Sequence, residues 1–462
     1  MRFSPELAEK RFGCGLSPEI DRPTGVTDML RGLQGPDVVA DAIPIEDFDT
    51  FRERMIKNAV HLKNMRKTRG TDEFKIHKGH RDGMNRQARK DKIAWYVQSL
   101  SRWAQTPTGF RERLAAFWGD HFTARGKQGL VRRATSPFIE SAIRPHLAGR
   151  FEDLLIAAIT HPMMLIYLDQ LQSVGPNSAF GTRKKKRNRG LNENLSRELL
   201  ELHTVGTQGG YTQSDVRELA ELLTGLSFRV EEGTVFAPDR AEPGAETVLG
   251  RTYGDDPATM APIHDVLRDL ARHPATARHL AWKLAVHFVS DGPDPGLVQA
   301  MEDRYRATDG DLSEVYAAML DHPAAWDPVL HNVKPPFDFM ASACRALAVD
   351  PEKMKGLKRK NHTVMLLDPM RLMGQDWQRP PGPDGWPEED AAWITPQGLS
   401  ARLRWAMVVP ANLRRALPDP REFVDWALGA DVPEAVRFAA EAAERRMDGI
   451  GLILASPAFQ RR

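Results

Sequence analysis

Cysteine is nearly absent. The chain has two in 462 residues, Cys14 and Cys344, and neither has a CxxC neighbour. A disulfide framework is thereby excluded, and a thiolate metal site has no spacing to support it. Long apolar runs are missing as well: none approaches the ~18 residues that a membrane-spanning helix needs. The opening stretch, Met1–Leu16, carries Glu6, Glu9, Lys10 and Arg11 and lacks the apolar centre of a secretory signal. That start predicts a chain that works in the cytoplasm, or one that leaves the cell with a partner. Charge of one sign is lacking too, with 64 Lys+Arg against 62 Asp+Glu and a net charge of +2. A chain-wide grip on nucleic acid is disfavoured by that balance. There is no P-loop, dinucleotide fingerprint, GxSxG or HExxH.

What is abundant is helical periodicity. Hydrophobic residues make up 41% of the chain, enough for a real core. In residues 92–105, Ile93, Val97, Leu100 and Ala104 fall on one stripe at helical spacing. Residues 111–122, 151–171, 192–205, 213–226, 262–289, 312–320, 399–407 and 433–455 read the same way. His161-Pro162, His273-Pro274, His322-Pro323 and Ser456-Pro457 look like helix starts, because proline is tolerated in the first turn. Thr212 with Asp215 reads as a capping box. The best strand signal is Phe228–Pro238, which alternates around a Glu-Gly turn, with Thr247–Leu249 as a further strand pairing with it. The expected fold class is therefore all-α, a multi-helix body with a small inserted β-hairpin near 228–249. One large domain spans 1–462, with a sub-division into 1–175, a basic loop at 176–190, a central part at 190–345 and a C-terminal part at 346–462.

Three segments invite functional readings. The first is the helix over 192–205, LNENLSRELLELHTVG when read from Leu191 to Gly206. At about 100° per residue, Glu193, Asn194, Arg197, Glu198 and Glu201 share an arc beside a leucine stripe. On an exposed face, Arg197 between Glu193 and Glu201 is a ladder worth a few tenths of a kcal/mol per pair. Facing a cleft, Glu198 and Glu201 sit about 5–6 Å apart at Cβ. That suits two oxygen ligands for a divalent cation, calcium or magnesium, or an acid/base pair with separated pKa values. Arg197 would then bind an anion or hold a carboxylate ionised, and Asn194 would orient a water. The second segment is Phe117–Thr123, where Asp120 and His121 interrupt an aromatic run and could complete the same site. Asp169, at the end of the preceding apolar helix, could line it. His77 and His80 form too short a pair, in too basic a stretch, to read as metal ligands.

The third feature is a set of loops. From Lys57 to Lys92 there are 12 Lys/Arg against four Asp/Glu, and six of the seven residues Arg183–Arg189 are basic. The latter cations (Arg183, Lys184, Lys185, Lys186, Arg187 and Arg189) suit an acidic protein partner. No aromatic residue is interleaved there for bases to stack on, which again disfavours nucleic acid. Asp376–Pro396 holds five prolines and three tryptophans. It cannot be a regular helix and is too apolar for a free linker, so it should be pinned to the body, walling a pocket or covering a core.

The strings LNENLSRELLELHTVG and GGYTQSDVRELAELLTG, with FWGDHFT, HPATARHLAWKLAVHFV, the Met373–Trp386 stretch and the closing LILASPAFQ, resemble the bacterial family catalogued as domain of unknown function 1800. The resemblance spans about residues 10 to 460 and implies a largely helical protein. It implies no catalytic residues, because the family has none assigned. Members often look exported and tend to be encoded beside a second family with an alkaline-phosphatase-like look; the start of this chain departs from that pattern. Two functions follow as expectations. One is a hydrolase-like enzyme using Glu198, Glu201, Asp120 and His121. The other is a non-enzymatic assembly partner of such a neighbouring protein, acting through the basic and Trp-rich loops.

Overall fold

The computed structural model describes residues 2–183, 190–255 and 257–462. The cations Lys184–Arg189 expected to meet a partner lie outside the described residues; Arg183 ends the short helix Ala179–Arg183. Among the described residues the architecture is helical, with four short strands. Leu226–Arg229 pairs antiparallel with Gly233–Phe236, so the expected Glu-Gly turn is real. Thr247 does not extend that sheet. Glu246–Val248 pairs instead with Arg251–Tyr253, because the turn at Leu249–Gly250 folds the segment back on itself.

The proline junctions behave as helix starts. The ring nitrogens of His161, His273 and His322 accept the backbone N–H two residues on, at 3.1, 3.2 and 3.3 Å. Thr212 and Asp215 close a reciprocal capping box. These side chains satisfy N–H groups that a helix start leaves without partners. Consequently the 151–171 and 262–289 stripes are each broken at their His-Pro step, into Phe151–Ile159 and Pro162–Tyr167, and into Ala261–Ala271 and Pro274–Phe288. Among the described residues no helix is long and apolar enough to cross a membrane.

Two apolar cores form. One runs from Leu7 to Trp326; the other joins Cys14, Tyr96–Ala104 and the segment Phe337–Phe459. The 34-residue helix Asp72–Gln105 belongs to both, giving Ala88 and Trp95 to the first core and Tyr96, Val97, Leu100, Trp103 and Ala104 to the second. Its N-terminal half pairs with Phe48–Lys67 in a polar hairpin. Next along the chain, Gly109–His121 is buried on nearly every side. It lies along the seam between the cores, and the Trp-rich segment 376–396 closes over that seam. Trp377 stacks on Phe337, with centroids 4.9 Å apart, and meets Tyr96 edge-on at 5.1 Å.

Candidate functional site

The seam encloses a cavity of about 190 Å³. Its walls come from the helix Gly109–His121, from His287, from Asp338 and from the Trp-rich segment. Of the residues expected from sequence to form the site, Asp120 lines it. Asp120 Oδ2 accepts the backbone N–H of Trp386 at 2.9 Å. The residue before that N–H is Gly385, at φ +85°, and a Cβ there would sit 2.4 Å from the same oxygen. Only glycine allows the segment to come this close. Burial pushes the Asp120 pKa up to about 8; the Trp386 bond and Lys283 oppose this, while Glu388 and Asp384 add to it. At neutral pH Asp120 is therefore a carboxylic acid.

His121 is buried and does not line the cavity; its ring packs against Phe122 and His203. Its Nδ1 meets Lys283 Nζ at 3.1 Å and its Nε2 lies 3.3 Å from the carbonyl of His203. That pattern assigns the proton to Nε2 and leaves Nδ1 to accept from the ammonium. Burial first, then Lys283, holds His121 well below the usual histidine range. Lys283 is itself lowered by burial, against the pull of Glu388, Asp120 and Asp384. Its amine meets an imidazole where a carboxylate would be the ordinary partner of an enclosed lysine.

A second pair faces the same cavity. His287 Nδ1 lies 2.9 Å from Glu388 Oε1, and its Nε2 lies 3.5 Å from Arg113 Nη2. Burial drives His287 down to about 4, so the ring is neutral and donates to an ionised Glu388. Burial alone would raise Glu388; His287, Arg462 and Lys283 outweigh it and hold the carboxylate below its ordinary value. Asp338, at the cavity's base, accepts Arg113 at 2.7 Å, Arg462 at 2.8 Å and the hydroxyl of Ser342 at 3.0 Å. The Pro274–Phe288 helix supplies the row that ties these parts together, with His279, Lys283 and His287 at successive i, i+4 positions.

The polar helix sits at the far end of that row. It is α-helical over Asn194–Glu198 and widens to a π turn over Leu199–His203. Its last carbonyls need partners from outside the helix. Those of Leu202 and His203 face His279 Nε2 at 3.2 Å and His121 Nε2 at 3.3 Å. The acidic arc forms the ladder: Arg197 reaches Glu193 at 3.2 Å and Glu201 at 3.4 Å, and Gln213 joins Arg197 to Glu193. Glu201 also meets Tyr211, whose pKa rises to about 12 through burial and that bond. Asn194 is exposed. Glu198 is half-buried; burial raises its pKa, and Glu201 and Asp384 add to the shift. Asp169 pairs with Lys127, away from the cavity lining. Thus Asp120 lines the cavity, His121 packs behind it, Glu198 stands outside the lining, and Glu193, Arg197 and Glu201 form a half-exposed network of their own.

Sequence reading missed Lys283, His287, Glu388, Arg113, Asp338 and Arg462. A signal existed for the first two: a basic stripe at i, i+4 spacing on an otherwise apolar helix. No local signal marks Glu388 or Arg462, which the chain delivers from its last quarter.

Among the described residues, one group of three or more His, Cys, Asp or Glu side chains has its ligand atoms all within 4.8 Å of one another. It is Glu218, Glu221 and Glu246, and it includes neither Glu198 nor Glu201. Glu246 rises to about 8, through burial first and then its hydrogen bond with Glu218. A protonated Glu246 is the donor in that bond.

No curated protein and no solved structure matches this chain. A family model does, over residues 10–461, and the family is described as a protein of unknown function. The match takes in both cores, the polar helix and the segment over the cavity, so the chain belongs to this family, DUF1800.

Proposed function

We propose that the protein is an enzyme carrying out general acid–base chemistry of a hydrolytic kind in the seam cavity. The observation that supports this reading is the pairing of two carboxyl groups with opposite protonation around one space. Asp120 is a neutral acid with a pKa of about 8, and Glu388 is an ionised carboxylate backed by neutral His287. Two titratable groups pushed apart by their surroundings are the usual division of labour between acid and base. Asp120 donates the proton; Glu388 with His287 receives one. Lys283 and His121 act as positioning residues behind them. The cations Arg113 and Arg462 make the cavity hospitable to a substrate that carries or develops negative charge. Glu198 and Glu201 stand outside the cavity lining, where their oxygens would be the ligands for a calcium or magnesium ion.

The test is turnover. A panel of ester, phosphoester, amide and glycoside substrates is offered to the purified chain and to Asp120→Asn. Turnover by the wild type that falls by about 10²-fold or more in Asp120→Asn, with unchanged circular dichroism, supports the assignment. Turnover insensitive to Asp120→Asn and to Glu388→Gln removes it.

A second reading, docking to a protein partner, draws on a separate observation. Among the described residues, eight of the thirteen exposed large apolar side chains fall between Val364 and Leu452, including Leu399 and Leu403 one helical turn apart. Leu399→Glu with Leu403→Glu should abolish co-purification with such a partner while leaving turnover unchanged.

A further inference from the structure

The hairpin of Phe48–Lys67 and Asp72–Gln105 has little to hold its far half together. Between Met55 and Ala88 no side chain is buried, so the apolar stripe that zips two helices is missing there. Three of the chain's 14 histidines meet in that stretch. His61 comes from the first helix. His77 and His80 come from the second, three residues apart and hence neighbours on one face. His61 Nδ1 and His77 Nδ1 are 3.0 Å apart. The His80 ring lies flat on that of His61, with centroids 4.8 Å apart and planes 14° apart.

This arrangement has a chemical use. Bonds of about 2.0–2.1 Å to a tetrahedral zinc place adjacent nitrogens roughly 3.3 Å apart, close to the separation of the two Nδ1 atoms. His80 is exposed, so a side-chain rotation brings one of its nitrogens in as a third ligand. Neutral imidazole is the form a metal takes. Arg81 is turned to Asn58 Oδ1 at 3.1 Å and Met65 Sδ at 3.6 Å.

We propose that His61, His77 and His80 bind one borderline divalent transition-metal ion, zinc foremost, which clips the two helices of the hairpin where no apolar core does so. The fourth position is left to water. Nickel and copper follow from the same ligand set, whereas calcium and magnesium, which prefer oxygen, do not. The site is independent of the seam cavity and of the function proposed for it.

Zinc chloride titrated into the full-length, chelator-treated chain tests this by calorimetry, alongside His61→Ala, His77→Ala and Glu246→Gln. The expected result is one zinc per chain, an affinity reduced about tenfold or more in either histidine variant, and no change in Glu246→Gln. Zinc should also raise the melting temperature of the wild type and not of His61→Ala. The histidine variants change half-exposed side chains, and matching circular dichroism verifies that they fold. Absence of saturable binding, binding indifferent to His61→Ala, or binding lost in Glu246→Gln instead overturns the proposal.

Discussion

Asp120 Oδ2 and the backbone N–H of Trp386 are 2.9 Å apart across 266 residues of chain. This bond joins the helix along the first core to the segment that roofs the cavity, and it holds the roof through a carboxyl group that is protonated at neutral pH. Stability and proton affinity are therefore linked at this point.

The sign of that linkage is fixed. The folded carboxyl has a pKa of about 8 against an ordinary 3.8, so the native state holds a proton that the unfolded state has already released between those values. The contribution is fully present below the lower value and is lost as pH rises through the upper one. Urea denaturation across pH 5 to 9 should show wild-type stability declining toward alkali. Asp120→Asn, which keeps an acceptor for Trp386 without the titration, should flatten that decline. An equal slope in both proteins contradicts the assignment.

Gly385→Ala should unseat the roof. It combines a left-handed backbone at φ +85° with a Cβ 2.4 Å from Asp120 Oδ2. The expected cost is about 1–3 kcal/mol. Acrylamide should quench tryptophan fluorescence more strongly, since Trp377, Trp386 and Trp393 all line the cavity. Wild-type quenching and stability would count against it.

Lys283→Met should cost about 1–3 kcal/mol, because it leaves the buried His121 Nδ1 without its donor. A second effect should appear at His121 itself. Burial and then Lys283 lower that imidazole, so removing the amine raises its pKa while burial still keeps it below 6.5. Histidine C–H shifts followed by NMR across pH give the direction.

Arg113→Met should be severe. Arg113 donates to Asp338 at 2.7 Å, and both side chains are buried. Breaking a buried pair from one side costs about 3–5 kcal/mol, softened here by Arg462, which also reaches Asp338. Glu201→Gln should cost no more than about 0.5 kcal/mol, because its Arg197 partner is 38% exposed. Denaturation midpoints that reverse this order would refute the placement of the two networks.

Helix starts were readable from sequence because each is a local event. Pro162, Pro274 and Pro323 act on their own turns, and the preceding histidine reaches only two residues forward. The hairpin of Phe48–Lys67 and Asp72–Gln105 escaped detection in its polar half for the opposite reason. Without buried positions between Met55 and Ala88 there is no stripe to count. Arg197 reads equally well as a ladder or as part of a site, since a helical wheel gives the arc of a side chain and not what lies opposite. The structure puts Glu193 and Glu201 on either side of it.

The helical class, the capped starts and the acidic arc follow from neighbours within about one turn, where backbone geometry leaves few choices. Which carboxyl group is neutral and which is ionised was settled only by folding. Asp120, Lys283, His287 and Glu388 stand far apart along the chain, and their proton affinities depend on the water each loses and the charges each gains when the two cores close together.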